Sequence, residues 1–420
     1  MGGIGKDTID AAYDALLTNA QELLGKGPAS GRPIVAHLPG GYVPEELIWA
    51  AGAHPVCLMV DSPAVLAEEA LALLPSAICP YARALVGAME RRTRLLDGRT
   101  RMRDGSIDSS CGFPPFPWDL VVMPSTCQHV KKAAEIYEYR YMLPVFRLGV
   151  PYVPEQDFAL QYYVERLQAL KQKLEELTGK AVTADSLASA IFLYDRLRGL
   201  LRSLAALRRL PVPGIAAVDF LKLSHATLLC DPELTVKVLE GLVAKIDESS
   251  LVQIGSIERS MSSDGSRPRV LLAGPNLVWG NYEIPRLIEE VGADLVVEDI
   301  FEGVRDYWLR VGAWLVPDQD TLEAIGRAYL LGRRPAAFMR NGLRRRLEFV
   351  RYLAQEFSTA GVIWAQLVCC EFFDQEGYLF AKALGMGGLP VLELEVDYHV
   401  GNLNAIRTRL EAFVESLNSV

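Results

Sequence analysis

The sequence predicts an α/β protein with two similar parallel-sheet domains of the Rossmann or flavodoxin type and a helical region between them. Short apolar segments alternate with amphipathic segments in residues 31–154 and again in residues 268–420, which is typical of parallel sheets. Residues 155–255 contain only patterns of helical period. Both α/β regions begin with the order strand, Pro/Gly turn, helix, Gly-Ala, strand, so we expect the two domains to be alike.

The first α/β domain is predicted to follow an N-terminal helix within residues 1–30, where apolar side chains recur at helical spacing. The turn Pro39-Gly-Gly41 ends the first strand, and Pro44 followed by two glutamates is a helix start signal. The predicted strands of this domain are 33–38, 56–60, 119–123 and 143–148.

The rest of the chain is predicted as helices, a linker and the second sheet. The polar, Gly- and Ser-rich residues 255–267 are expected to link the helical region to the second α/β domain. The predicted helices are 156–177, 184–210, 217–229, 232–246, 284–291 and 403–417. The predicted strands are 270–273, 294–298, 362–365 and 389–394.

Composition excludes several classes of function. The 420 residues carry a net charge of −9, which argues against a nucleic-acid surface because such a surface needs a clustered basic face. No apolar run is long enough for a transmembrane span, so no membrane association is predicted. The N-terminus lacks a charged segment followed by an apolar run, and we therefore expect a cytoplasmic protein.

The cysteines fall into two groups. Of the seven, Cys57 lies inside a predicted strand and is expected in the core. The others lie at element ends or in loops: Cys79, Cys111, Cys127, Cys230, Cys369 and Cys370. With no Cys-x-x-Cys and no His-x-x-x-His in the chain, neither a thioredoxin motif nor a common zinc enzyme is indicated. Six thiolates exceed the four that one cubane takes, and would suit two cubanes with three ligands each.

The adjacent pair Cys369 and Cys370 follows a predicted buried strand. Ligands gather just past the carboxyl ends of parallel strands. Neighbouring thiols are poorly placed for a disulfide with each other, but they can bind two metal centres or two atoms of one large centre. The alternative interpretation is a pair of buried small hydrophobic residues.

Several motifs together resemble the 2-hydroxyacyl-CoA dehydratase and benzoyl-CoA reductase superfamily. The segment 41–55, Gly-Tyr-Val-Pro-Glu-Glu-Leu-Ile-Trp-Ala-Ala-Gly-Ala-His-Pro, is similar to the family's opening motif, and residues 404–415 are similar to its ending. Its three cluster-ligand motifs are matched by Cys79 with Arg83, Pro124-Ser-Thr-Cys127 and Cys370-Glu371. The resemblance covers nearly the whole chain.

Within this superfamily, the cysteine doublet with Cys111 and Cys230 resembles the branch of double-cubane cluster proteins. That resemblance implies a homodimer with a double-cubane [8Fe-9S] cluster that reduces small molecules such as acetylene and hydrazine. It also implies a separate ATP-hydrolysing reductase as electron donor. Residues 1–8 agree with the need for such a partner, because they lack the preceding strand that a phosphate-binding loop requires.

Two other functions remain open at this stage. One is a dehydratase or aryl-CoA reductase subunit with a single [4Fe-4S] cluster, and the other is an electron-transfer or cluster-storage protein. Reduction of a small molecule also consumes protons, so a donor is needed near the cluster. The candidates are His129, two residues after Cys127, and Glu371, directly after the doublet.

Overall fold

A computed structural model describes residues 4–27, 31–60, 63–96, 118–246, 267–398 and 403–419. Cys111 and almost all of the predicted linker lie outside the described residues. None of the helices in these ranges is both long and apolar enough to cross a membrane.

Two four-stranded parallel sheets form the framework. The strands are β1 Ile34–His37, β2 His54–Cys57, β3 Leu120–Pro124, β4 Val145–Leu148, β5 Arg269–Ala273, β6 Asp294–Asp299, β7 Gly361–Leu367 and β8 Val391–Val396. The strand orders are β2-β1-β3-β4 and β6-β5-β7-β8, so both sheets have the same topology. This is the flavodoxin-like order, in which ligands bind beyond the carboxyl ends of the first and third strands. The predicted α/β fold is confirmed.

Fifteen helices are described in these ranges. They are α1 Lys6–Lys26, α2 Glu45–Ala50, α3 Pro63–Glu69, α4 Pro80–Leu96, α5 Gln128–Tyr141, α6 Asp157–Thr178, α7 Ala184–Ala206, α8 Ala217–Thr227, α9 Pro232–Val243, α10 Glu283–Glu290, α11 Val304–Tyr307, α12 Thr321–Arg327, α13 Leu343–Glu356, α14 Glu371–Gly385 and α15 Leu403–Asn418. Helices α6 to α9 form the region between the sheets, where the sequence predicted helices and no strand.

Strand β2 begins earlier than the sequence predicted. The predicted strand was 56–60, but the ladder pairs Ile34 with His54 and His37 with Cys57. The sequence pattern places Pro55 at the end of the preceding helix instead. An edge strand tolerates proline because one side of the strand has no ladder partner for the missing N–H. The free edge is covered by the helical region, since the Cys57 N–H donates to the Leu228 carbonyl at 3.0 Å.

Helix α7 and the turn after it connect the helical region to both halves through buried ion pairs. Arg198 Nη1 lies 2.5 Å from Glu46 Oε1, at the start of α2 in the first half. Arg208 Nη1 lies 2.5 Å from Glu298 Oε2 on β6 in the second half. These four side chains are at most 1% exposed. A buried charge left without its partner is strongly destabilising, so the pairs favour one arrangement of α7 against the two sheets.

Candidate functional site

One cavity, called the thiol cavity below, is lined by three cysteines that come from both halves of the molecule. Cys79, Cys127 and Cys370 all line it. The segments that follow β1, β3 and β5, together with the end of β7, form the rest of its floor. The carboxyl ends of the four central strands therefore face one another across the cavity, as expected for ligand sites in parallel sheets.

Each of these cysteines stands at the beginning of a helix. Cys79 directly precedes α4, whose first residue is Pro80. Cys127 is the N-cap of α5, and its Sγ accepts a hydrogen bond from the Val130 N–H at 3.4 Å. Cys370 is the N-cap of α14. The partial positive charge of a helix N-terminus stabilises thiolates, so three such ends favour an anionic group in the cavity.

The turn after β1 needs its two glycines. Gly40 has φ 105° and Gly41 has φ 78°, in the region that favours glycine. A Cβ on Gly40 would lie 2.8 Å from the Phe301 ring, and one on Gly41 would overlap the Arg333 guanidinium. Because glycine has no side chain, the turn after β1 can pack directly against the segment that follows β6. This contact closes one side of the cavity.

The thiols are protonated in the absence of a ligand. Burial raises the pKa of Cys79, and the neighbouring thiols of Cys127 and Cys370 raise it further. Burial also raises the pKa of Cys127, and it raises the pKa of Cys370 to about 12. Thiolate is the form that binds metals. Loading of a metal group would therefore release protons.

The rest of the cavity is largely aromatic. Tyr42 and Phe338 lie with ring centroids 5.6 Å apart, and Phe301 and Phe373 lie 6.0 Å apart. Phe372 also lines the wall. The cavity volume of about 90 Å³ exceeds the ~10–15 Å³ that one water requires. No pattern in the sequence predicted this aromatic wall, although Phe372 and Phe373 follow the cysteine doublet within three residues.

The other cysteines lie elsewhere. Cys57 is completely buried within β2, in agreement with the prediction of a core residue. Cys230 is buried between α8 and α9, and its thiol donates to the Leu16 carbonyl at 3.0 Å. Cys369 is exposed, and its Sγ lies 3.9 Å from the carbonyl oxygen of Ser76, three residues before Cys79. Neither Cys230 nor Cys369 is among the described residues that line the cavity.

The two predicted proton donors are close to the cysteines in sequence, but their side chains do not line the cavity in the described part of the chain. His129 Nδ1 accepts a hydrogen bond from the backbone N–H of Cys79 at 3.2 Å. This bond joins the starts of α4 and α5 and therefore fixes two of the cysteines relative to each other. Glu371 is exposed at the first position of α14. Their roles in proton transfer stay predictions.

Comparison with known proteins identifies the family. Residues 41–417 match the profile described as 2-hydroxyglutaryl-CoA dehydratase, D-component. The chain belongs to this family. A protein of Escherichia coli K12 named as a dehydratase subunit, YjiM, is 24% identical over 90% of this chain and 89% of its own. The (R)-2-hydroxyglutaryl-CoA dehydratase subunit beta of Acidaminococcus fermentans is 23% identical over 96% and 98%, respectively.

The family also has members named as reductases. A protein of Thauera aromatica named as a benzoyl-CoA reductase subunit is 24% identical over 56% of this chain and 55% of its own. The resemblance predicted from the motifs is therefore confirmed at the level of the family. The relatives are subunits of dehydratases and reductases by name, and this chain is an enzyme of the same family.

The donor set of this dehydratase-family chain fits an iron–sulfur cluster better than a single metal ion. In the described ranges, no three His, Cys, Asp or Glu side chains stand close enough to enclose one ion. In a cubane each thiolate binds a different iron, so the sulfurs stand farther apart than around one ion. Soft thiolates favour iron–sulfur chemistry, and an apolar shell limits solvent access and influences the redox potential. Cys79, Cys127 and Cys370 meet these conditions.

Proposed function

We propose that this family member is an iron–sulfur reductase that carries a double-cubane [8Fe-9S] cluster and reduces small molecules. One cubane would be bound by Cys79, Cys127 and Cys370. The observation that carries the proposal is the meeting of these thiols, each at a helix N-terminus, in one apolar cavity. When bound, the cluster would supply single electrons at low potential and one iron per cubane that no thiolate occupies.

The chain's own residues would hold and shield this group. The helix N-termini offset the negative charge of the thiolates. The ring of Phe301 and its neighbour Phe373 would keep water from the reacting face. The hydrogen bond from Cys79 N–H to His129 keeps α4 and α5 in fixed register, so the distance between two of the ligands would not depend on the cluster alone.

Cys369 supports the second cubane. It follows β7 in a turn closed by the Cys370 N–H and the Leu367 carbonyl at 3.0 Å. Its φ of 59° places it in the left-handed backbone region, which is uncommon for residues other than glycine. Such strained conformations are often found at functional sites. The thiol faces the Ser76 carbonyl, on the segment that carries Cys79. Cys369 would be a ligand of the second cubane, with Cys111 and Cys230 as the other candidates.

Assembly and electron supply complete the proposal. We expect a cytoplasmic homodimer, with electrons delivered by a separate ATP-hydrolysing iron–sulfur reductase. In residues 1–8, Asp7 stands where a phosphate-binding loop has the Ser or Thr that holds magnesium, so this segment does not match such a loop. A low-potential reaction then needs energy from a partner. The partner would dock near the thiol cavity because electron tunnelling requires short paths.

A second function is favoured by the aromatic wall and by the named relatives. A single [4Fe-4S] cluster on Cys79, Cys127 and Cys370 would leave the space beside Phe338 and Phe372 for an acyl group. The chain would then be a 2-hydroxyacyl-CoA dehydratase or benzoyl-CoA reductase subunit, as the relatives are named. In that case Cys369 would be an ordinary exposed residue.

Iron and sulfide content decides between the two functions. For protein purified under anaerobic conditions, the double cubane predicts about eight irons per chain and the single cubane about four. Cys369→Ala should lower the iron content of the double-cubane protein by up to about half and should abolish ATP-dependent acetylene reduction. About four irons in both wild type and Cys369→Ala, together with dehydration of a 2-hydroxyacyl-CoA, would refute the double cubane.

A further inference from the structure

A second cavity opens on the other side of the segment that follows β6. Its walls come from α11, from residues 332–335 and from α13, and its volume is about 270 Å³. Four arginines line it: Arg305, Arg333, Arg334 and Arg345. Trp308 and Phe349 add apolar walls, with ring centroids 6.3 Å apart. None of the six cysteines in the described ranges is part of this arginine pocket.

The carboxylates around the arginine pocket do not balance its guanidinium groups one for one. Asp299 makes ion pairs with both Arg305 and Arg334. Arg333 pairs with Asp306 at 3.6 Å, and Arg345 pairs with Glu155 at 3.5 Å. Glu348 also lines the pocket, but its carboxylate accepts a hydrogen bond from Arg344 at 2.7 Å. Two guanidinium groups therefore share one buried carboxylate.

Arg334 is the least satisfied of the four. Its side chain is only 4% exposed. Its Nη1 forms an ion pair with Asp299, whereas its Nε and Nη2 have no hydrogen-bond partner among the described residues. Arg305 Nη1 and Arg333 Nε are in the same situation. Buried charged donors are costly unless hydrogen bonds satisfy them. Because no acceptor among the described residues takes these hydrogen bonds, the nitrogens indicate a site for an anionic ligand.

We infer that the arginine pocket binds the phosphate group of a small phosphorylated ligand. Guanidinium groups recognise phosphate through paired N–H donors, and several unused donors from Arg305, Arg333 and Arg334 meet here. The ligand is either free phosphate or a nucleotide. In a nucleotide, the base would contact the Trp308 and Phe349 walls.

The charge state of the isolated pocket agrees with this inference. Burial, and then the charge of Arg346, lowers the pKa of Arg334 well below its usual range. Burial lowers the pKa of Arg305 to about 9. A lowered arginine pKa means that too little negative charge or solvent offsets the charged guanidinium. A bound phosphate would add that negative charge.

Arg305 lies between the arginine pocket and the thiol cavity. Its guanidinium carbon lies 4.7 Å from the ring centre of Phe301 and 5.3 Å from that of Phe373, and both rings line the thiol cavity. Phosphate would therefore bind beside the wall of the proposed cluster site. This phosphate site goes beyond the proposed function and does not depend on the cluster type, since none of Cys79, Cys127 and Cys370 lines the arginine pocket.

Binding of inorganic phosphate and of ADP to the full-length anaerobic protein tests the inference by titration calorimetry. Arg334→Gln should weaken binding of either ligand about tenfold or more, because it removes charge-assisted hydrogen bonds. Arg351→Gln is the matched control: this exposed side chain is on the same helix as Arg345, but it donates to the Ala383 carbonyl and does not line the pocket, so affinity should be unchanged. Tighter binding of ADP than of phosphate would identify a nucleotide ligand, and equal affinities free phosphate.

A second measurement separates binding from folding. Without ligand, Arg334→Gln should raise the melting temperature, because Asp299 then pairs with Arg305 alone, and the stabilisation by phosphate should disappear. If Arg334→Gln does not fold, Arg345→Gln replaces it, since that side chain is 38% exposed, and it should also weaken binding. The inference is overturned if neither ligand binds with a Kd below about 10 mM, or if the folded pocket variant binds like wild type.

Discussion

The two halves of the molecule share a topology but differ in the side chains that follow their second strands. In both, the central third strand leads to a cysteine at a helix N-terminus: Cys127 after β3 and Cys370 after β7. After β2, the first half places a third cysteine, Cys79, at the start of α4. After β6, the second half instead has the arginines of the arginine pocket.

This difference separates what the fold supplies from what the residues supply. The fold brings the carboxyl ends of four strands and several helix N-termini to one region, which suits anionic groups of many kinds. Thiols, two from the first half and one from the second, make that region suitable for soft metals. Guanidinium groups in the second half make a neighbouring region suitable for oxyanions. Changes to either set of side chains should therefore affect one site and leave the other intact.

The largest expected effect concerns the cysteine that the second half contributes to the thiol cavity. Cys370→Ala should remove about half or more of the bound iron, because it deletes one of three thiols that meet there. Cys57→Ala is the matched control, since Cys57 is equally a cysteine of a parallel-sheet half but is enclosed in β2. Iron per chain, measured under anaerobic conditions, checks both variants.

Equal iron loss in the two variants would contradict the division of the cysteines into core residues and ligands. Phosphate affinity gives an internal check on Cys370→Ala. It should match the wild-type affinity, because Cys370 does not line the arginine pocket.

The sequence predicted the fold well because its signals are local. Pro/Gly turns, helix starts and apolar runs located all eight strands to within a few residues, and Pro55 caused the clearest shift, at an edge strand. The grouping of Cys79, Cys127 and Cys370 was also accessible, since each lies in a segment that is similar to a cluster-ligand motif of the family. The family resemblance added confirmation from motifs spread along the chain.

The remaining features depend on contacts between distant residues. Phe301 and Phe338 reach the thiol cavity from a segment without regular alternation, so no period marks them as a wall. Cys230 has the same helix-boundary pattern as Cys127, but its thiol contacts the Leu16 carbonyl of α1. Arg333 and Arg334 look like solvated charges in the sequence, and only their burial beside Asp306 and Asp299, respectively, distinguishes them.

The next effect concerns the attachment of the helical region to each half. Arg208→Met and Arg198→Met should each lower the free energy of unfolding by about 3–5 kcal/mol, because each leaves a buried carboxylate unpaired. The double variant Arg208→Met with Glu298→Gln should recover much of the loss. Denaturant unfolding measures all three proteins. A loss below about 1 kcal/mol in the single variants would be typical of surface pairs and would contradict the burial of these ion pairs.

A smaller effect is expected from a buried histidine. His225 Nδ1 lies 3.1 Å from the Tyr282 hydroxyl, whereas His37 in the first half faces Glu45 at 3.2 Å. Burial lowers the pKa of His225 to about 3, while in the unfolded chain it is about 6.5. Between these values the unfolded state binds the extra proton, so stability falls as pH falls, by up to ~1.4 kcal/mol per pH unit.

His225→Gln should therefore flatten the dependence of stability on pH between about 6 and 5 by roughly 1 kcal/mol per pH unit. Anaerobic thermal unfolding of wild type and variant in parallel cancels any effect of pH on the cluster. Parallel curves for the two proteins would show that His225 is protonated in the folded state.

The smallest effect separates two roles of Cys127. Its Sγ accepts the Val130 N–H at 3.4 Å as the N-cap of α5, and we propose that it also binds iron. Cys127→Ser keeps a capping acceptor and removes the soft ligand, whereas Cys127→Ala removes both.

Both variants should lose cluster iron to the same extent. In the iron-depleted state, the serine variant should be more stable than the alanine variant by about 0.5–2 kcal/mol. Equal stability of the two would mean that the cap contributes nothing to α5, and retained iron in the serine variant would remove Cys127 from the ligand set.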